Sequence, residues 1–197
     1  MKSWISKTAI AIAMLAILPV LAHADTWNID PAHTNVEFSV RHMMISNVKG
    51  QFQKTSGTIT TNGSDPASAT IDATIDASSV DTRVEKRDMH LKSPEFLDVA
   101  KYPTITFKST KVEAAGANKW KVTGDLTLHG VTKPVVLDVE SSGPPVSVMG
   151  NMRAGASATT QIKRSDFGLT WNKVLESGGV MVGDEVAISI DLEAVKK

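Results

Sequence analysis

Apolar and polar residues alternate one by one along most of this chain. Val36, Phe38, Val40 and His42 share one face of a run whose other face carries Glu37, Ser39 and Arg41. Ile71, Ala73 and Ile75 alternate with Asp72, Thr74 and Asp76, and Val122, Gly124, Leu126 and Leu128 with Lys121, Thr123, Asp125 and Thr127. The last run sets Val186, Ile188, Ile190 and Leu192 against Glu185, Ala187, Ser189, Asp191 and Glu193. A period of two puts successive side chains on opposite faces of a strand, so each run predicts a half-buried β-strand. Turn signals separate the runs at Asn62-Gly63, Gly116, His129-Gly130, Gly143-Pro144-Pro145, Gly178-Gly179 and Gly183-Asp184.

One segment departs from this period. Between Ser79 and Ala100, Val84, Asp88 and Leu91 fall at helical spacing, and Ser93-Pro94-Glu95 reads as an N-cap followed by proline and an acid in the first turn. One or two short helices are therefore predicted near residues 79–100, inserted between strands. About eight antiparallel strands lose their exposed edges only by pairing the first with the last, which favours an all-β closed barrel over a sandwich. Several alternating positions are small, namely Ala69, Ala73, Gly124, Ala154, Ala156 and Ala158. If they point inward they leave volume in the barrel; if they point outward, or pack beneath a helix, they do not.

The N-terminus sets the compartment. Lys2 and Lys7, the apolar run from Ala9 to Leu18, Pro19 and the small-x-small site Ala22-His23-Ala24 predict a signal peptide over residues 1–24, cleaved after Ala24. The run is shorter than the roughly 20 apolar residues of a spanning helix, so the mature chain is read as having no transmembrane segment and as periplasmic. Removing residues 1–24 from 197 leaves 173, predicted to form one domain over residues 25–197. The mature chain keeps 19 of the 21 Lys and Arg against 21 acids, a formal charge of −2. That balance argues against nucleic acid as a partner, because counterion displacement needs a basic stripe. With no Cys in the chain, disulfides and Cys-based lipid anchoring are excluded.

Chemistry-bearing residues are few. His42 ends an apolar face, so its imidazole is placed near one rim of the interior, as a ligand contact or as a satisfied structural histidine. In Asp88-Met89-His90 a carboxylate sits close enough in sequence to orient an imidazole, or else both groups tie the helix to the barrel. Arg164, in Arg164-Ser165-Asp166-Phe167-Gly168, is placed either to hold a phosphate bidentately or to pair with Asp166. His33, His42, His90 and His129 show no paired-ligand spacing, and neither a Gly-x-Ser-x-Gly elbow nor a glycine-rich phosphate loop occurs. No metal, cofactor or catalytic residue is predicted from these patterns.

Taken in order, Val36 to His42, Val48-Lys49-Gly50-Gln51-Phe52, Ser79-Val80-Asp81-Thr82, Arg87-Asp88-Met89-His90-Leu91, Phe96-Leu97-Asp98, Lys101-Tyr102-Pro103, Ile105-Thr106-Phe107, Gly124 to Val135 and Arg164 to Gly168 form a pattern that resembles the YceI-like family of secreted bacterial proteins. The resemblance spans the mature chain and implies a lipocalin-like antiparallel barrel. It also implies a binding protein rather than an enzyme, with a polyisoprenoid, a quinone or a similar long amphiphilic lipid in an elongated tunnel. On this reading Val36, Phe38, Val40, Met43, Ile71, Ile75, Phe107, Leu126, Ile188 and Ile190 are candidates for the tunnel, and His42, Asp88, His90 and Arg164 for the head group. Where many relatives carry Gly, this chain has Met43-Met44-Ile45, flexible thioethers that either adapt to a lipid tail or narrow the entrance. A homodimer is compatible with the sequence. Two rival readings stand at this point: an enzyme for a small apolar substrate with Asp88 and His90 as acid/base pair, and a structural or stress-response domain with no ligand.

Overall fold

The computed structural model describes residues 24–63, 65–176 and 178–197. The signal peptide expected over residues 1–24 lies outside them, apart from Ala24. The described strands are β1 (Ala24–Ile29), β2 (Asn35–His42), β3 (Ser46–Phe52), β4 (Thr55–Asn62), β5 (Asp65–Asp76), β6 (Val80–Asp81), β7 (Thr104–Gly116), β8 (Lys119–Leu128), β9 (Val131–Ser141), β10 (Val146–Val148), β11 (Asn151–Lys163) and β12 (Val182–Lys196). All their pairings are antiparallel. One helix, α1 (Glu85–Lys92), stands between β6 and β7.

These segments close into an eight-stranded barrel. β1 and β2 lie end to end along one edge of β12, with Ile29 opposite Ala194 and Asn35 opposite Asp191. β3 and β4 form the next stave, bent at Gln53-Lys54 and paired in turn with β2 and β1. β5 with β6, then β7, β8, β9 and β11, complete the circuit. Closure comes from β11 on β12, in register from Arg153 opposite Val195 to Lys163 opposite Glu185. β10 adds a short outer hairpin arm to β11.

The break between β1 and β2 is held by charge. Asp30 accepts from Ala32 N at 3.0 Å, pairs with His33 Nδ1 at 2.9 Å and accepts from Arg153 Nη1 at 2.9 Å; Arg153 also binds Glu193. The His33 hydrogen bond first, and Arg153 next, hold the Asp30 carboxyl down at about 2. Arg153 thus places a cation between the carboxylates of Asp30 and Glu193.

α1 confirms the helical spacing of Val84, Asp88 and Leu91, while the second helix expected from Ser93 is absent among the described residues. Ser93 is instead the C-cap of α1: its N–H and its hydroxyl both return to His90 O, at 3.1 and 2.8 Å. Ser93 O then accepts from Phe96 N and Asp98 N, so residues 93–98 form consecutive turns that bury Phe96. A serine before a proline caps either end of a helix, and here the buried aromatic decides which.

At the end where β5, β8 and β11 finish and β7 and β12 begin, Ala77, Ile105, Leu128, Ile162, Phe167 and Leu169 pack into a cluster carried by β7, β8, β11 and the turns that follow β5 and β11, and it buttresses one side of that end. Lower in the wall, Gly124 is required by a close approach: a Cβ there would lie 2.4 Å from Phe107 Cζ and 2.5 Å from Lys108 O. Gly124→Val is therefore expected to lower unfolding free energy by about 1–3 kcal/mol through overpacking, seen as a lower urea midpoint at unchanged slope. An unchanged midpoint would show that both the Phe107 ring and the β7 backbone at Lys108 yield at little cost.

Candidate functional site

The barrel encloses a cavity of about 480 Å³, within the usual range of roughly 300–1,000 Å³ for small-molecule sites. Its wall is built by the inward face of every alternating strand read from the sequence. Val36, Phe38, Val40, Ile71, Ile75, Phe107, Leu126, Ile188 and Ile190 all line it. The small residues Ala73, Ala156 and Ala158 line it too and create part of its volume, whereas Ala69, Gly124 and Ala154 are not on its wall. Thr55, beside the bend between β3 and β4, is on this wall too, and its buried hydroxyl has no hydrogen-bond partner among the described residues.

Met43 departs from expectation. It lies outside the cavity at the tip of the β2–β3 hairpin, half exposed, with its N–H on Met181 O at 2.8 Å. The tunnel assignment of Met43 rested on the family resemblance; β2 ends at His42, and Met43 begins the turn that follows, off the inward face of Val36, Phe38, Val40 and His42.

The cationic and imidazole side chains on the cavity wall are Arg41, His42, Arg87, His90 and Arg164. They come from the barrel end that carries the β2–β3 hairpin, α1 and the 168–181 loop, and mark the mouth there. His90 projects from α1 between two aromatic rings: its ring centroid is 4.9 Å from that of Phe96 and 5.0 Å from that of Trp171, both edge-on. Phe96 and Trp171 are 5.1 Å apart, which completes a three-ring cluster. His90 Nε2 lies 2.5 Å from Glu95 Oε2, so the carboxylate fixes the imidazole from outside. Half-exposed His42, by contrast, has no side-chain partner among the described residues.

Asp88 is not part of this rim. Its Oδ1 accepts from Thr82 N at 2.8 Å and Thr82 Oγ1 at 2.5 Å, which ties the entry of α1 to β6. Asp88 and His90 therefore face different partners, and the acid/base pair conceived for them is not assembled. Arg164 does reach the cavity wall, yet its donors are committed elsewhere. Nε donates to Gly183 O at 2.9 Å, Nη1 to Leu169 O and to Trp171 O at 2.9 Å, and Nη2 to Val182 O at 3.3 Å. Burial pushes its pKa down, while the charge of nearby Asp184 pulls the other way. Its carboxylate neighbour is thus Asp184 rather than the exposed Asp166 considered from sequence. Arg164 is a strut for the 168–183 segment, and through Trp171 it positions the rim.

Residues that sequence reasoning passed over include Trp171, Phe96, Glu95, Arg87 and Met181. Trp171 carried a readable signal, a large aromatic in a loop between Gly168 and Gly178, where loops favour small and polar residues. Arg87 bridges to Thr82 Oγ1 and O at 2.7 and 2.9 Å, and so shapes the rim beside His90.

A family model described as YceI-like domain matches residues 27–194. The chain belongs to the YceI-like family. This YceI-like chain is 38% identical, over 199 aligned positions and the whole of both proteins, to a UPF0312 protein of Vibrio parahaemolyticus. A UPF0312 protein of Vibrio cholerae is 38% identical over 167 residues, 83% of this chain and 88% of the relative. Among solved structures, the Campylobacter jejuni YCEI protein superposes with a TM-score of 0.67 at 37% identity, covering 80% of this chain and 90% of the other. Burkholderia cenocepacia BcnA superposes with a TM-score of 0.73 at 26% identity, covering 84% and 98%. A polyisoprenoid binding domain from Saccharophagus degradans, implicated in plant cell wall breakdown, shares the fold at 19% identity and a TM-score of 0.61, with 85% and 97% covered.

Proposed function

We propose that this YceI-like barrel is a periplasmic, non-catalytic carrier that holds a polyisoprenoid or a similar long amphiphilic lipid in its cavity. The observation that carries the reading is the wall: aliphatic and aromatic side chains from every stave face one enclosed space, and imidazole and cationic groups occur only on its rim. The kinship with the YceI-like family and the shared fold of a polyisoprenoid binding domain point the same way.

Such a site binds by confinement. Enclosing an isoprene unit of five carbons is worth roughly 4 kcal/mol at about 0.8 kcal/mol per buried carbon. Association costs about 4–15 kcal/mol in lost freedom, so about four enclosed units reach micromolar affinity without a metal or a covalent bond. On this proposal the three-ring cluster and His42 meet the head group, the wall from Val36 to Ile190 holds the chain, and Arg164 serves by positioning Trp171. The signal peptide over residues 1–24 would deliver the protein to the compartment where such lipids need a soluble vehicle.

The test is native mass spectrometry of protein from a homologous host, followed by organic extraction. A resolved mass increment that extracts as a prenyl lipid is the expected result. Protein that is empty and takes up neither prenyl phosphates nor isoprenoid quinones would refute the proposal. His90→Ala is expected to weaken binding by no more than about tenfold, the share of one head-group hydrogen bond.

A further inference from the structure

The rim of the cavity continues into apolar loops that have no partner within the fold. Met43, Met44 and Ile45 form the tip of the β2–β3 hairpin, with Met44 57% and Ile45 76% exposed. The turn closes through Ile45 N on His42 O at 3.0 Å, with Met43 and Met44 at φ 50° and 60°. A turn with both central residues in the left-handed region favours Asn-Gly, so two methionines there do not serve the turn itself.

Beside it stands a second projection. Residues 173–176 and 178–181 supply the two arms of a small ribbon, with Val174 bridged to Val180 and Met181 N on Lys173 O at 2.8 Å. Its return arm joins the hairpin through Met43 N on Met181 O, and a Cβ on Gly179 would lie 3.3 Å from Met44 Cγ. Val174, on the outgoing arm, is 84% exposed. Arg41, His42, Met181 and Val182, immediately below these loops, already line the cavity.

The charges at this end complement the loops. Arg41 spends Nη2 on Met44 O at 3.0 Å, and Lys173 lies over the Trp171 ring at 6.0 Å. Neither is in an ion pair among the described residues, whereas the lysines along the barrel wall at 54, 108, 111, 119 and 121 each face an acid. Glu176 is the one acid of the ribbon among its described residues. Apolar tips flanked by cations outside ion pairs fit a bilayer surface, where hydrocarbon takes the tips and phosphates take the cations.

We infer that the barrel docks by its mouth on a phospholipid bilayer, with Met44, Ile45 and Val174 entering the interface and Arg41 and Lys173 pairing with lipid phosphates. This inference rests on the carrier reading, since a ligand insoluble in water has to be exchanged at a membrane, and it gives the exchange a face and an orientation. The opposite end offers an internal control: Met149, at the β10–β11 turn, is 98% exposed and separated from the rim by the length of β11.

The experiment is co-sedimentation of purified protein with vesicles of phosphatidylcholine containing a minority of phosphatidylglycerol, alongside native mass of the same samples. The protein and Met149→Glu are expected to bind alike, and the triple variant Met44→Glu, Ile45→Glu, Val174→Glu to bind at least about tenfold less, with unchanged lipid content. If the triple variant melts early, Ile45→Glu alone is read for the same loss in smaller measure. A protein that stays in the supernatant, or a loss equal in Met149→Glu, or none in the tip variants, overturns the docking face. Vesicle binding by protein that never contains lipid would instead sink the carrier reading and leave the docking face standing.

Discussion

Arg164→Met unfolds at a markedly lower urea concentration than the parent chain, with about 3–5 kcal/mol of stability lost. The side chain is buried at 6% exposure, and its guanidinium answers the carbonyls of Leu169, Trp171, Val182 and Gly183. Of these, Val182 O keeps a second donor, Asn172 Nδ2 at 2.8 Å. An apolar replacement of similar length fills the space but leaves the other carbonyls without a donor, at about 1–3 kcal/mol for each that water cannot reach. Arg164→Lys keeps the charge and lacks the planar fork, so it is expected to fall between the two. The loss should extend to the site, because Trp171 hangs from this strut: the tryptophan emission of the mouth shifts red, and lipid retention falls with it. An unchanged midpoint for Arg164→Met would show that the 168–183 segment is held by other contacts.

The second large effect comes from filling the cavity. Ala158 sits on β11 between Val139 of β9 and Ile190 of β12, buried at 9% exposure, with its methyl group on the cavity wall. Ala158→Phe sets an aromatic ring into the space assigned to the lipid chain. Loss of bound lipid by at least about tenfold is the expected result, corresponding to 1.4 kcal/mol or more of binding free energy. Stability should move little, within about 1–3 kcal/mol of the parent, because the ring enters a void rather than a packed core. Ala187→Phe, on the exposed face of neighbouring β12, is the control and should retain its lipid. Full lipid content in Ala158→Phe would place the ligand elsewhere and remove the cavity from the argument for function.

Much of this molecule is legible in one dimension because a strand repeats every two residues. Val36, Phe38 and Val40, then Ile71, Ala73 and Ile75, then Ile188 and Ile190, belong to one inward face by arithmetic alone, and all of them line the cavity. The tunnel assignment of Met43 came from the family resemblance and not from this arithmetic, which sets it on the face opposite Val40 and His42; the structure keeps it outside the cavity. Local signals were weaker where two outcomes share one signature. Ser93-Pro94 serves equally as the start of a helix or as the end of one, and only the burial of Phe96 separates them. Asp88 and His90 are close in sequence, yet Thr82 claims the one and Glu95 the other.

Residue patterns thus settled that the chain is a closed antiparallel barrel with a helical insert and an apolar inner face, because alternation and turn chemistry act over a few residues. They did not settle whether that inner face meets itself or surrounds a space. This depends on how far apart eight staves stand, which comes from the circuit β11 closes on β12 and from small residues on facing strands. Nor did they settle what Arg164 does: a guanidinium seeks whichever acceptors lie within reach. Here those are carbonyls of residues 169, 171, 182 and 183, brought to it by the return of the chain into β12. Distances between residues far apart in sequence exist only once the barrel is closed, and the cavity and its rim are made of such distances.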